Sequence, residues 1–279
     1  MRELKTNLTT SGKGSTNIQT RRGKSFGYQV LGFGAGGSVA TVDVNYDAIA
    51  GGGAGAAGPG WWAHEQTGGS GAGGFISNET VALVEGEQYT ITVGAGGPSG
   101  ETSGVASTIA GTGIATITAV GGGFAGNRNG SVGASGGSGG GGGAGTLGGA
   151  AGTVGQGNAG GPAGGASNYN SGGGGGKGSV GSSGSYSSNG GTGGTSSIPN
   201  VSGTFSTGGK GNGASYTNNV AGGANTGDGA SGVAGGGSGR VHLQIPTASY
   251  TGTTTGSPAV STSGGYTILQ YTSTGSYTA

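Results

Sequence analysis

Two tryptophans stand side by side, Trp61 and Trp62, behind Gly58-Pro59-Gly60 and ahead of Ala63-His64-Glu65. Adjacent aromatic side chains on a glycine-rich loop offer flat apolar surface with N–H handles, the chemistry of glycan or protein recognition. Tyr169, Tyr186 and Tyr216, isolated among Gly, Ser, Thr and Asn, offer the same on a smaller scale. These five are the candidate receptor-binding residues. Their competing use is to cover glycine surface or close a subunit interface. Asp43, Asn45 and Asp47 alternate as oxygen ligands of Ca²⁺ do. The loop glycine and distal Glu of an EF-hand are missing, so the three read as a solvated strand face and no metal is expected. Gly133-Ala134-Ser135-Gly136-Gly137 fits the G-x-S-x-G elbow formally, but a chain with 81 glycines makes such matches by chance. The histidines are His64 and His242. His242 falls on the polar face of a predicted strand with no acidic partner evident, which argues against a Ser-His-Asp triad. Gly23-Lys24-Ser25 ends like a P-loop, but Ile18 stands where its first glycine belongs and no strand precedes it. No catalytic residue and no cofactor is expected, and the chain does not read as an enzyme.

The elements that must position these residues are unusual. Glycine contributes 81 of 279 residues and charged residues only 7%, against usual shares of about 7% and about 25%. Six prolines and no G-X-Y period exclude collagen. A net charge of +1 gives no electrostatic reason to expect nucleic acid or an anionic membrane. There is no Cys, and no apolar stretch approaches the ~18 residues of a membrane span. The N-terminus lacks a signal-like apolar core.

Four zones follow. Residues 1–25 are polar and basic (Arg2, Lys5, Lys13, Arg21, Arg22, Lys24) and read as an extended arm that docks onto another protein. Residues 26–120 carry period-two patterns broken by glycine: Phe26, Tyr28 and Val30; Val42, Val44 and Tyr46; Tyr89, Ile91 and Val93. Such patterns predict antiparallel strands, with a turn at Glu85-Gly86-Glu87. Residues 121–239 are the glycine-rich region, with runs at Gly139–Gly143 and Gly172–Gly176. In residues 240–279, Val241, Leu243 and Ile245 predict a strand that completes the sheet begun before that region. Tyr266–Tyr271 and Gly275-Ser276-Tyr277 predict a closing hairpin. The expected fold is all-β, an antiparallel β-sandwich-like domain with a long glycine-rich insertion and no α-helix.

Ordering glycine costs about 0.5–1 kcal/mol more per residue than ordering Ala, and Ala-heavy apolar content cannot easily offset that. Polyproline-II helices solve the problem. They have three residues per turn, a ~3.1 Å rise and no internal hydrogen bonds, so their N–H and C=O groups bond to neighbouring helices. The runs therefore predict short polyglycine helices packed in layers, with flexible surface loops as the alternative.

The segments Gly68–Phe75, Tyr89–Gly97, Ile117–Gly123 and Gly237–Leu243 resemble the glycine-rich domain of tailed-bacteriophage tail-fibre and other virion proteins. Gly265–Tyr271 with Gly275–Tyr277 is similar to a strand pair common in the same proteins, where it often precedes the glycine-rich domain; here it ends the chain. The resemblance implies a non-enzymatic structural protein of a bacteriophage virion, a fibre or tail-tip component. Its implied partners are other virion proteins through the N-terminal arm, further copies in a homotrimer, and a host surface receptor. Capsid decoration (a head fibre) is the alternative placement. A glycine-rich ice-binding or cell-surface protein is the alternative class: the irregular glycine period and the absence of Cys count against the first, the missing secretion signal and the basic, non-apolar start against the second.

Overall fold

Alternating β-branched and aromatic residues bury one face of each strand, and here two such faces close on each other. The structure, a computed structural model, describes residues 39–56, 66–128, 131–145, 148–164, 170–185, 187–213 and 219–279. Its strands are β1 (Thr41–Ile49), β2 (Phe75–Val84), β3 (Gln88–Thr92), β4 (Ser107–Gly111), β5 (Ile117–Ala119), β6 (Ser187–Ser188), β7 (Gly211–Asn212), β8 (Arg240–Pro246), β9 (Thr254–Thr255), β10 (Ala259–Ser263), β11 (Tyr266–Tyr271) and β12 (Gly275–Thr278). One antiparallel sheet has the order β10-β11-β8-β1-β2, the second β5-β4-β3-β12-β9. Val42, Val44, Tyr46, Leu83, Leu243 and Leu269 of the first pack on Tyr89, Ile91, Ile109 and Tyr277 of the second. The fold is all-β and sandwich-like, with no α-helix among the described residues. As the alternation at 241–245 predicts, β8 joins β1, pairing Asp47 with His242 and Tyr46 with Leu243.

One expectation needs correction. The last two strands do not pair with each other: β11 lies beside β8 and β10, β12 beside β3 and β9. Crossing between sheets at residues 272–274 lets Tyr271 and Tyr277 both enter the core, where the Tyr271 hydroxyl donates to the Ser276 carbonyl at 2.8 Å. The hairpin of this region is β10–β11 instead, closed by Gly264 and Gly265 with φ of 56° and 84°, the type I′ turn that suits a two-residue hairpin. The turn at Glu85-Gly86 likewise leads from one sheet to the other. The N-terminal arm and the pattern at Phe26–Leu31 lie outside the described residues.

The glycine runs form a lattice, and their hydrogen bonds reveal its period. Ala50 and Gly53 donate to Gly74 and Gly71, Gly51 and Ala54 to Val105 and Thr102, Gly52 and Gly55 to Gly237 and Ala234. Every third amide meets the same neighbour, the signature of a threefold helix with outward-pointing backbone. Carbonyls of the same run accept from Gly122 and Ala125, from Gly97, and from Ala230. Run 50–55 is thus enclosed on six sides, the coordination of hexagonal packing. Runs 68–74 and 170–176 are enclosed in the same way. Side by side, these three form the middle of a central layer that runs 94–97 and 179–184 extend at either end. One flanking layer holds 102–105, 120–126, 137–144 and 157–164; the other holds 234–239, 227–231, 206–213 and 188–194. Two of these three central runs come from before residue 121.

Only glycine permits this spacing. A Cβ on Gly51, Gly69 or Gly174 would lie 1.9 Å from a carbonyl oxygen of the adjacent run. Side chains other than Ala and Ser are held to the rim, the turns and the sandwich.

Candidate functional site

Chain direction sorts the lattice turns into two ends. Run 50–55 leaves β1 and run 66–74 returns to β2, so Ile49 and Phe75 mark the end at the sandwich. Turns at 153–156, 177–179 and 224–226 lie at that end. Gln156 accepts from Val120 N and donates to Thr118 O, and the Lys177 ammonium sits 5.8 Å from the Phe75 ring centroid. Burial lowers the Lys177 pKa, the Glu79 charge opposing.

The other end is a layer of lateral bonds. Ala144 N donates to Gln66 O, Gly68 N to Gly126 O, Asn212 N to Thr67 O, Ser171 N to Asn212 O, Gly164 N to Asn170 O and Gly184 N to Pro162 O. Every one of these residues borders a reversal of the chain far from the sandwich. The segments 57–65, 165–169, 186 and 214–218 connect ends in this layer. They carry Trp61, Trp62, Tyr169, Tyr186 and Tyr216, all of which lie outside the described residues, as does His64. The sequence scatters these five over more than 150 positions; the threefold runs return all of their flanking residues to one face.

A second cluster was not legible in the sequence. Asp47, expected on a solvated face, is fully buried, and so is His242. Antiparallel pairing of β1 with β8 makes them cross-strand neighbours, with His242 Nδ1 3.6 Å from Asp47 Oδ2. A bulge in β2 turns the Asn78 amide onto Asp47 Oδ1 at 2.9 Å, Asn78 adopting φ 54°. The loop 195–204, closed by the Gly194–Phe205 bridge, straps the outer face of this sheet. Its Ser196 hydroxyl donates to Asp47 Oδ2 and its Asn200 amide to Thr262 O. Phe205 lies edge-on to His242 and under the Arg240 guanidinium, whose pKa burial lowers. Asp43 keeps the exposure that alternation gives it and Asn45 is half-buried, whereas the strap covers Asp47. The serine here bonds the carboxylate, not the imidazole. Ser135 of the G-x-S-x-G match sits in an extended run rather than at a strand-to-helix turn. Among the described residues no three His, Cys, Asp or Glu converge as a metal site would require.

No family model, curated protein or solved structure matches this chain.

Proposed function

We propose that this chain is a non-enzymatic display element of a bacteriophage virion, presenting aromatic-bearing loops to a host surface from the end of a glycine lattice. The sandwich serves as the mount and the basic N-terminal arm as the attachment to neighbouring virion proteins. The observation that carries the reading is the gathering of chain reversals at the lattice end opposite the sandwich. A rigid spacer with connecting segments at one end suits recognition, because segments held by ordered runs lose less entropy on binding. The lattice itself offers no side chains for catalysis, and its backbone groups are spent on each other.

Two measurements test the proposal. Mass spectrometry and immunogold labelling of purified particles should find the protein in the virion; absence from particles refutes the placement. Particles carrying Trp61→Ala and Trp62→Ala together should adsorb to host cells at least tenfold more slowly, since aromatic anchors in interfaces each contribute on the order of 2 kcal/mol. Unchanged adsorption discards the tryptophans as contacts.

A further inference from the structure

The two flanking layers of the lattice are not covered alike. Over the layer 102–164, the chain itself supplies an outer row. Ala134 bridges run 120–126 and run 137–144, donating to Phe124 O and accepting from Gly140 N. Ala150 does the same one position along, donating to Gly140 O and accepting from Gly160 N. Adjacent outer sites on that face are therefore both filled.

Over the opposite layer only one outer run is present among the described residues. Val220–Gly223 lies between runs 234–239 and 227–231: Gly222 N donates to Gly235 O, and Val220 O accepts from Ser231 N. The next hexagonal site, between runs 227–231 and 206–213, is a groove of about 270 Å³ walled by Thr207–Lys210, Val220–Gly223, Asp228, Gly229 and Ser231. One ridge thus stands beside one groove. They also stand at the same height along the lattice, since Thr207 O accepts from Gly229 N while Asp228 O accepts from Gly237 N beside Gly222 and Gly223.

A ridge and an adjacent groove at equal height are self-complementary under a twofold axis parallel to the runs. We propose that this face pairs two copies of the chain, the Val220–Gly223 ridge of each occupying the groove of the other. The fourth layer of both lattices is then shared. A glycine-rich backbone can settle there at helix-to-helix distance, because the floor residues Gly208, Gly209 and Gly229 carry no side chain into the groove. The groove carries one Lys (Lys210) and one Asp (Asp228), so two such faces meet without net repulsion. The Ala221 amide has no acceptor among the described residues, leaving it unpaired at the proposed contact. An axis parallel to the runs sets both sandwiches at one end and both sets of distal loops at the other. That is an isologous contact, unlike the heterologous contact of the trimer implied by the resemblance.

Sedimentation equilibrium of the full-length protein, with hydrogen exchange at the same concentrations, tests this. The expected result is a concentration-dependent species of twice the 25.5 kDa chain mass, with Ala221–Gly223 amides slowed at least tenfold as it forms. Ala221→Glu changes an exposed residue; it should stay monomeric with an unaltered melting temperature. A monomer at every concentration, a trimer, or a dimer that persists in Ala221→Glu overturns the proposal. Slow Ala221 exchange in the monomer also overturns it, by assigning the groove to the chain's own residues. None of these outcomes bears on display by the distal loops, which particle composition and adsorption report separately.

Discussion

Consider adding a single methyl group at Gly174. This residue lies in the middle of an enclosed run; its amide donates to Gly209 O at 2.9 Å and its carbonyl accepts from Gly191 N at 2.7 Å. An ideal Cβ there falls 1.9 Å from Ser70 O, whereas real Cβ atoms essentially never come under 3.0 Å. The runs 68–74 and 170–176 must part by roughly 1 Å, enough to stretch neighbouring bonds beyond hydrogen-bonding range. Losing two or three backbone bonds at about 1 kcal/mol each, with about 1–3 kcal/mol of overpacking strain, puts the cost of Gly174→Ala near 3–6 kcal/mol. That is a large share of the ~5–15 kcal/mol that holds a typical domain together. Gly148→Ala is the control: among the described residues nothing lies within 4 Å of its Cβ, and its φ is not positive. There the lost freedom of the unfolded chain should stabilise by about 0.4–1 kcal/mol. Equilibrium urea unfolding of the two variants reads the difference. Equal midpoints for Gly174→Ala and Gly148→Ala would refute the packing argument, because a flexible glycine segment treats both positions alike.

Other outcomes follow from the sandwich. Burial, as the leading cause, raises the phenol pKa values of Tyr46, Tyr271 and Tyr277. The unfolded chain ionises its tyrosines from about pH 10, so it sheds protons before the folded one does. Stability is therefore fully present below about pH 10 and falls as pH rises beyond it; melting scans from pH 8 upward should show this, with a shallower fall in Tyr271→Phe. Asp47→Ala takes the acceptor from the Asn78 amide and the Ser196 hydroxyl and leaves the buried His242 without its partner, at a cost of about 3 kcal/mol. Chemical denaturation checks that, and a cost under about 1 kcal/mol would mean that the strap does not seal the pair.

The sequence shows the strands where one face is buried and the other wet. Val42, Val44 and Tyr46 alternate with exposed Thr41 and Asp43, and the inward Tyr89 and Ile91 with Thr90. Partnership between strands is less visible. A three-residue link after Tyr271 looks like a hairpin turn, and only the demand to bury Tyr271 and Tyr277 together sends the chain to the other sheet. The Asp47–His242 pair is hidden for a related reason: 195 positions separate them, and neither their register nor the strap above them leaves a local signal. The polyglycine helices were legible from composition, but not their order, because a glycine run carries no side-chain pattern to say which neighbour it meets. Runs 50–55 and 68–74 were read with the strands they adjoin, yet they form the lattice centre. The distal end follows from run directions alone, a property of the whole lattice and of no single motif.

The central claim is that backbone hydrogen bonds between threefold glycine helices hold the molecule rigid. Residue-resolved amide hydrogen exchange tests it most directly. Amides of residues 50–55, 68–74 and 170–176 belong to no helix or strand ladder, yet they should exchange only through global unfolding, as slowly as core amides of β1 and β8. Exchange of these glycines at the rate of free peptide, with the sandwich still protected, would contradict the account.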